Sequence, residues 1–133
     1  REFLVFNQEL ATLLKAFTFC PVKLDYDVEH GPDKKSKYAF LAIVREALSN
    51  IARHSGATAA EIILREHPGF YQLVVRDNGR GEVNVALAGE KGIGLGSIAE
   101  RVKSLDGLLN IKGDKGFVIF ITIPKAQQKE TPA

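Results

Sequence analysis

Four polar residues recur at helical spacing in the middle of the chain: Glu46, Asn50, Arg53 and His54, at i, i+4, i+7 and i+8. At about 100° per residue they fall on one stripe of a helix. A carboxylate, a carboxamide oxygen and two nitrogen groups on one stripe suit a hydrated hard cation and phosphate oxygens. The ordinary use of such a stripe is a solvated helix face. Asn50 argues against that use, because it is a poor helix former in mid-helix. Small Ala39, Ala42 and Ala47 flank the stripe and would let a ligand approach closely.

Two glycine-bearing segments follow. Asp77-Asn78-Gly79-Arg80-Gly81 comes directly after a strand pattern. A tight turn favours the same residues. The chemistry it offers is an aspartate at a strand end, accepting a hydrogen bond from a base amino group, with glycines keeping side chains out of the ligand's way. Gly92-Ile93-Gly94-Leu95-Gly96 opens a helix pattern. There, glycines let backbone N–H groups face a phosphate, and a helix N-terminus favours negative charge. The spacing is Gly-x-Gly-x-Gly after a loop, so it is neither the dinucleotide fingerprint nor a Walker loop.

The elements that must position these residues are legible from periodicity. Phe3, Phe6, Leu10, Leu13 and Phe17 mark one apolar helix face, which Pro21 stops. Val22, Leu24, Tyr26 and Val28 alternate with charged residues, as in a half-buried strand. After the His30-Gly31-Pro32-Asp33 turn, Asp33 is placed to cap a helix from Lys34 to His54. Its apolar face holds Leu41, Val44, Leu48 and Ile51, and Gly56 ends it. Strands are expected at Glu61 to Glu66 and Tyr71 to Arg76, joined by His67-Pro68-Gly69-Phe70. Glu82 to Lys91 has no clear period and is expected to be a mobile loop. The next helix carries Ile98, Val102 and Leu105 on one face, with capping-box spacing between Ser97 and Glu100 and Gly107 as its C-terminal cap. Leu108 to Lys112 and Phe117 to Ile123 form a final hairpin, and Pro124 ends it. The order is helix, strand, helix, two strands, helix, two strands. It predicts an α+β two-layer sandwich with helices on one face of a mixed sheet.

Composition bounds the rest. The 133 residues are the size of one domain, with 45% hydrophobic and 26% charged residues, which excludes wholesale disorder. Eighteen Lys+Arg against 16 Asp+Glu leave +2, too little for a polycation built for nucleic acid. No apolar run approaches the ~18 residues of a membrane span. The single cysteine, Cys20, excludes an intrachain disulfide and reads as a core residue without metal-ligand neighbours. The chain begins at Arg1 and lacks Met, so it is read as a fragment: one domain over residues 1–124 and a frayed polar tail over 125–133.

Glu46-Ala47-Leu48-Ser49-Asn50-Ile51-Ala52-Arg53-His54, Asp77-Asn78-Gly79-Arg80-Gly81 and Gly92-Ile93-Gly94-Leu95-Gly96, in this order, resemble the asparagine box and two glycine boxes of the GHKL ATPases. Arg45-Glu46-Ala47-Leu48-Ser49-Asn50, Arg53-His54-Ser55-Gly56-Ala57 and Gly94-Leu95-Gly96-Ser97-Ile98-Ala99-Glu100-Arg101-Val102 are similar to the ATP-binding domain of bacterial sensor histidine kinases, in the subfamily of nitrate and membrane-fluidity sensors. The resemblance covers about residues 7 to 124. It implies the Bergerat fold, with ATP between the long helix and the loop. It implies that Asn50 coordinates Mg²⁺ bridging the phosphates and that Glu46 lies beside that metal, the two forming the catalytic pair. Arg53 is then a phosphate contact, and His54 lies near the nucleotide. Asp77 binds the adenine amino group, Gly79 and Gly81 shape the pocket, and Gly92, Gly94, Leu95 and Gly96 form the hinge and phosphate-facing turn.

The implied activity is transfer of the ATP γ-phosphoryl group to a histidine on a separate dimerisation domain, for relay to a response regulator. The implied location is cytoplasmic, with an inner-membrane anchor of the parent protein left open. No nucleic acid or membrane contact is expected of this piece. His30 and His67 read as turn residues, so the acceptor is placed elsewhere. The chain departs from the family twice. Gly116-Phe117 stands where Gly-Thr is usual, and Glu82 follows Gly81 where an apolar residue is usual. A stand-alone serine kinase of the anti-sigma type and a non-catalytic nucleotide-binding or docking module are the alternatives, Phe117 favouring the latter.

Overall fold

The computed structural model describes residues 2–79, 95–114 and 116–125. Its elements run α1 (Glu2–Ala16), β1 (Val22–Asp27), α2 (Lys34–Asn50), a π-helical turn (Ile51–Ser55), β2 (Ala60–Glu66), β3 (Phe70–Asp77), α3 (Leu95–Ser104), β4 (Leu108–Asp114) and β5 (Gly116–Pro124). The strands form one mixed sheet in the order β1-β2-β3-β5-β4. β1 and β2 are parallel, with α2 crossing between them, and the remaining pairs are antiparallel. The three helices of the described residues share one core with the sheet, which is the expected α+β sandwich.

Burial follows the sequence periods. Phe6 and Leu10 of α1, Phe40, Ile43, Val44 and Leu48 of α2, and Ile98 and Val102 of α3 meet Ile62, Leu64, Leu73, Val75, Ile119, Ile121 and Ile123 of the sheet. These sheet residues alternate along β2, β3 and β5, as a one-sided sheet requires. Phe40 bridges the layers, edge-on to Tyr71 at 5.8 Å and tilted against Phe6 at 6.2 Å. Ala39 and Ala47 are buried too, so their small size serves packing of α2 rather than a ligand's approach.

Helix ends refine the sequence reading. Asp33 caps α2 as expected: its carboxylate accepts from the Ser36 N–H at 2.9 Å. The α-helix stops at Asn50 rather than His54, and the chain widens into the π-helical turn before Gly56 reverses it at φ 69°. α1 ends at Ala16, ahead of Pro21, where Phe17-Thr18-Phe19 brings poor helix formers together. α3 begins at Leu95, so Ser97 lies inside its first turn and the capping-box reading fails. At its far end the left-handed residue is Asp106, φ 58°, and not Gly107. The Asp106 N–H reaches Lys103 O and the Gly107 N–H reaches Val102 O, both at 2.9 Å, which is a Schellman closure. Gly107 is needed for space instead. A Cβ there would stand 2.6 Å from Thr122 O and 2.7 Å from Ile123 Cδ1. β4 and β5 pair through Asp114 and Gly116, so the final turn is tighter than expected.

Candidate functional site

The asparagine stripe is assembled at the C-terminal end of α2. Asn50 is only 8% exposed, although it lies on the polar side of the sequence pattern. The Arg53 guanidinium, one turn on, donates from Nη2 to Asn50 Oδ1 at 3.1 Å and from Nη1 to Ser49 Oγ. Its Nη2 also stands 3.9 Å from Glu46 Oε2. Two residues of the stripe, Glu46 and Asn50, thus converge with Ser49 on the Arg53 cation. The Asn50 Nδ2 group is buried with no hydrogen-bond partner among the described residues. The unsatisfied amide is a cost to folding. It is also the mark of a side chain placed for a ligand. Local widening of the helix supplies the position of Arg53, and π-turns recur at functional sites.

The described residues contain no cluster of three His, Cys, Asp or Glu side chains able to hold a metal alone. The Asn50 amide oxygen and the half-exposed Glu46 carboxylate are hard oxygen donors. They suit Mg²⁺, which is commonly held by one or two protein oxygens together with water and substrate phosphates. The two oxygen donors therefore fit such an ion, whereas the orphaned Asn50 Nδ2 can only donate, and suits an acceptor such as a phosphate oxygen.

Asp77 closes β3 on the helix side of the sheet and is 6% exposed. Burial pushes its pKa above the usual carboxylate value, and the Gly79 and Phe117 N–H groups pull it part of the way back. The Gly79 N–H donates to Oδ1 at 2.7 Å. Gly116 lies at φ 95°, and a Cβ there would collide with the Asp77 carbonyl. Only glycine fits both the torsion and the space.

Chain geometry brings these parts to one end of the sandwich. Asn50 connects through the π-turn and Gly56 to Ala60, whose register partner is Asp77. α3 packs on α2, β4 and β5. Its C-terminal end lies at Thr122 and Ile123, whose partners Gln72 and Tyr71 are at the far end of β3. Ten residues of helix rise about 15 Å, so the α3 N-terminus, with half-buried Gly96, points toward the end bearing Asp77. Leu95 is the first residue of α3, and His54 belongs to the π-turn by its backbone. Gly81, Gly92, Gly94 and the Glu82 to Lys91 loop lie outside the described residues.

No protein-family model matches the chain. Curated relatives do. It is 32% identical over 127 residues to the sensor histidine kinase YdfH of Bacillus subtilis, covering 90% of this chain and 31% of that one. It is 38% identical over 89 residues to the sensor histidine kinase NarS of Mycobacterium tuberculosis, covering 65% and 20%. Among solved structures, the ATP-binding domain of PrrB from Mycobacterium tuberculosis superposes with a TM-score of 0.72 at 15% identity, covering 94% of both chains. The chain belongs to the GHKL ATP-binding domains of sensor histidine kinases. The blue-light activated histidine kinase of Erythrobacter litoralis shares the fold, with a TM-score of 0.76 at 21% identity over 96% of this chain and 46% of its own. This kinase-type domain spans less than a third of the curated relatives it matches.

Sequence reasoning missed two supports of the domain's site. Asn78 accepts at Oδ1 from the Thr58 and Ala59 N–H groups at 2.9 and 3.1 Å, and its Nδ2 donates to Thr58 Oγ1 at 2.9 Å. It ties the segment before β2 to the end of β3, beside Asp77. Ser49 holds Arg53, and the i, i+4 spacing of the pair was the available signal.

Proposed function

We propose that this domain binds Mg·ATP at the α2–β3 end of the sandwich and presents the γ-phosphoryl group to a histidine on a separate dimerisation domain, for relay to a response regulator. The carrying observation is Asp77: a buried carboxyl group at a strand end, its pKa raised by burial and pulled part of the way back by two backbone N–H groups. A carboxylate can accept more than those two hydrogen bonds, and the adenine amino group is the further donor. Mg²⁺, when bound, neutralises phosphate charge. Asn50 Oδ1 would hold it, with the Glu46 carboxylate beside it. Arg53 then leaves Asn50 Oδ1 and turns its guanidinium to a phosphate, exchanging one charge-assisted contact for another. His54, Gly79, Gly81, Gly92, Gly94, Leu95 and Gly96 are assigned to the nucleotide in the same reading. The chemistry is positioning and charge neutralisation, as in phosphoryl transfer generally.

Likeness to the sensor kinases supports the acceptor domain and regulator as partners. No helix of the described residues is long and apolar enough to cross a membrane. The domain is assigned to the cytoplasm, where ATP and response regulators are found. Calorimetric titration with a non-hydrolysable ATP analogue, with Mg²⁺ and then with EDTA, tests the reading. Saturable, Mg²⁺-strengthened binding is expected, and no binding in either condition overturns it.

A further inference from the structure

α1 and α2 run toward the same end of the sheet. α1 leads into Val22 and α2 into Ala60, and both of these residues share the sheet row of Asp77. Between the two helices lies an open groove of about 590 Å³, lined by Leu13 and Ala16 of α1 and Leu41 of α2. Glu9 stands at one end of it, with its Oε1 3.8 Å from Lys37 Nζ. Arg45 stands at the other end, two turns beyond Lys37 and so about 12 Å along α2. Neither charge is fully matched within the chain. The Glu9 side chain is 43% exposed, its Lys37 contact is at the limit of an ion pair, and its Oε1 accepts no hydrogen bond among the described residues. Arg45 is exposed and has no ion pair or hydrogen bond among the described residues.

An apolar groove with an acid at one end and a base at the other is its own complement. A two-fold axis in the plane of such a surface brings the same patch of a second copy against it. An axis along the helices sets Glu9 level with Glu9 and Arg45 level with Arg45, like against like. An axis across them reverses the second copy, so that each Glu9 meets an Arg45 and Leu13 and Leu41 meet their counterparts at the centre. The helices of the two copies are then antiparallel, which opposes their dipoles. We propose that the α1–α2 groove is a self-complementary interface for a second copy of this chain, closed by two symmetry-related Glu9–Arg45 pairs over Leu13 and Leu41. The Asn50 ends of the two copies point apart in this arrangement. Helices of 15 and 17 residues present a face about 22 Å long and about 20 Å wide. Over both copies that is about 900 Å², below the ~1,200 Å² of a stable interface. The contact is therefore weak and concentration-dependent, and charge decides its geometry.

Sedimentation velocity at rising concentration tests this, with circular dichroism to confirm folding of each variant. The weight-average mass of the native chain should rise from one copy toward two, and should fall back as salt is added. Arg45→Glu and Glu9→Lys should each remain a single copy, because each sets like charges together at both ends. Their equimolar mixture should associate at least as well as the native chain, since every charge then meets its opposite, and the double variant should recover association by itself. A native chain that stays a single copy up to millimolar concentration overturns the proposal. Native-like association by both single variants places the contact elsewhere, and folded single variants that fail to associate on mixing overturn the two-fold pairing. Because Glu9→Lys sets two ammonium groups together at Lys37, a second measurement uses the native chain alone. Its amide chemical shifts should change with concentration at Leu13, Ala16 and Leu41, and changes confined to another face overturn the proposal.

Discussion

Burial works against the charged form of Asp77, and this separates its binding role from its structural one. Its folded pKa is raised, so the folded protein takes up a proton more readily than the unfolded chain does. The contribution of Asp77 to stability therefore increases as pH falls through that raised pKa, while its strength as an acceptor is lost over the same window. ATP-analogue affinity should fall on acidification before ordinary carboxylates titrate, as followed by calorimetry at stepped pH. Asp77→Asn should lose about 1.5–3 kcal/mol of adenine-nucleotide binding with an unchanged or raised Tm. A large drop in Tm would make Asp77 structural. At Asn50 the amide oxygen is the contested atom, since Arg53 holds it in this structure. Asn50→Ala should weaken binding in Mg²⁺ more than binding in EDTA. Equal losses would assign Asn50 to the helix end and not to the metal.

The two ends of α2 have different work, which makes them separable by mutation. Asp33 caps the N-terminus, and Asn50 lies 17 residues on, about 25 Å along the axis. Asp33→Ala should cost about 1 kcal/mol in a urea melt and leave the nucleotide affinity of the folded protein within twofold. Joint loss of stability and affinity would show that the helix transmits strain from its cap to the site. At the end of α3, Gly107→Ala places a methyl group against the Thr122 carbonyl and Ile123. A loss of roughly 1–3 kcal/mol is expected from such overpacking, read by the same melt.

Across the whole molecule, the end opposite the site is fastened by one carboxylate. Glu66 accepts from the Glu29 and His30 N–H groups at 2.8 Å and from Lys125 Nζ at 2.7 Å, with His30 Nδ1 at 3.3 Å. It joins the turn after β1, the end of β2 and the end of β5. Tyr71 adds a bond from its hydroxyl to Gly31 O at 2.6 Å. Burial alone would raise the Glu66 pKa. The Lys125 ammonium, the two N–H groups and the His30 ring outweigh it and hold the carboxyl at about 2, against an ordinary 4.5. A lowered folded pKa contributes stability that is complete above the ordinary value and is lost as pH falls toward the folded one. Denaturant melts between those limits should show that decline, and Glu66→Gln should flatten it while costing roughly 1.5–3 kcal/mol at neutral pH. An unaltered slope in the variant would move the acid sensitivity elsewhere. Transfer is also decided at this scale. Incubated with γ-labelled ATP, the chain alone should hold no stable phosphohistidine, and the parent's dimerisation domain added in trans should take up label weakly, because tethering is absent. Acid-labile label on this chain alone would place the acceptor within it.

The order of elements, the sheet's alternation, the Asp33 cap and the likeness of three short segments to a nucleotide-binding family were legible in the residues. Each depends on local spacing, and local spacing survives in a linear sequence. The burial of Asn50 was not legible, because a periodicity argument assigns a polar residue to the solvent side. Only packing of α2 against the sheet and α3 shows how much of that helix is enclosed. Asp106 took the left-handed position expected of Gly107, since close approach of β5 reserved the glycine for space. His30 read as an ordinary turn residue because its partner Glu66 is 36 positions away. The row that sets Phe117 beside Asp77 is likewise a matter of register between strands 40 residues apart in the chain. Spacing along one strand decides which face a side chain takes, but only the pairing of two strands decides its neighbour.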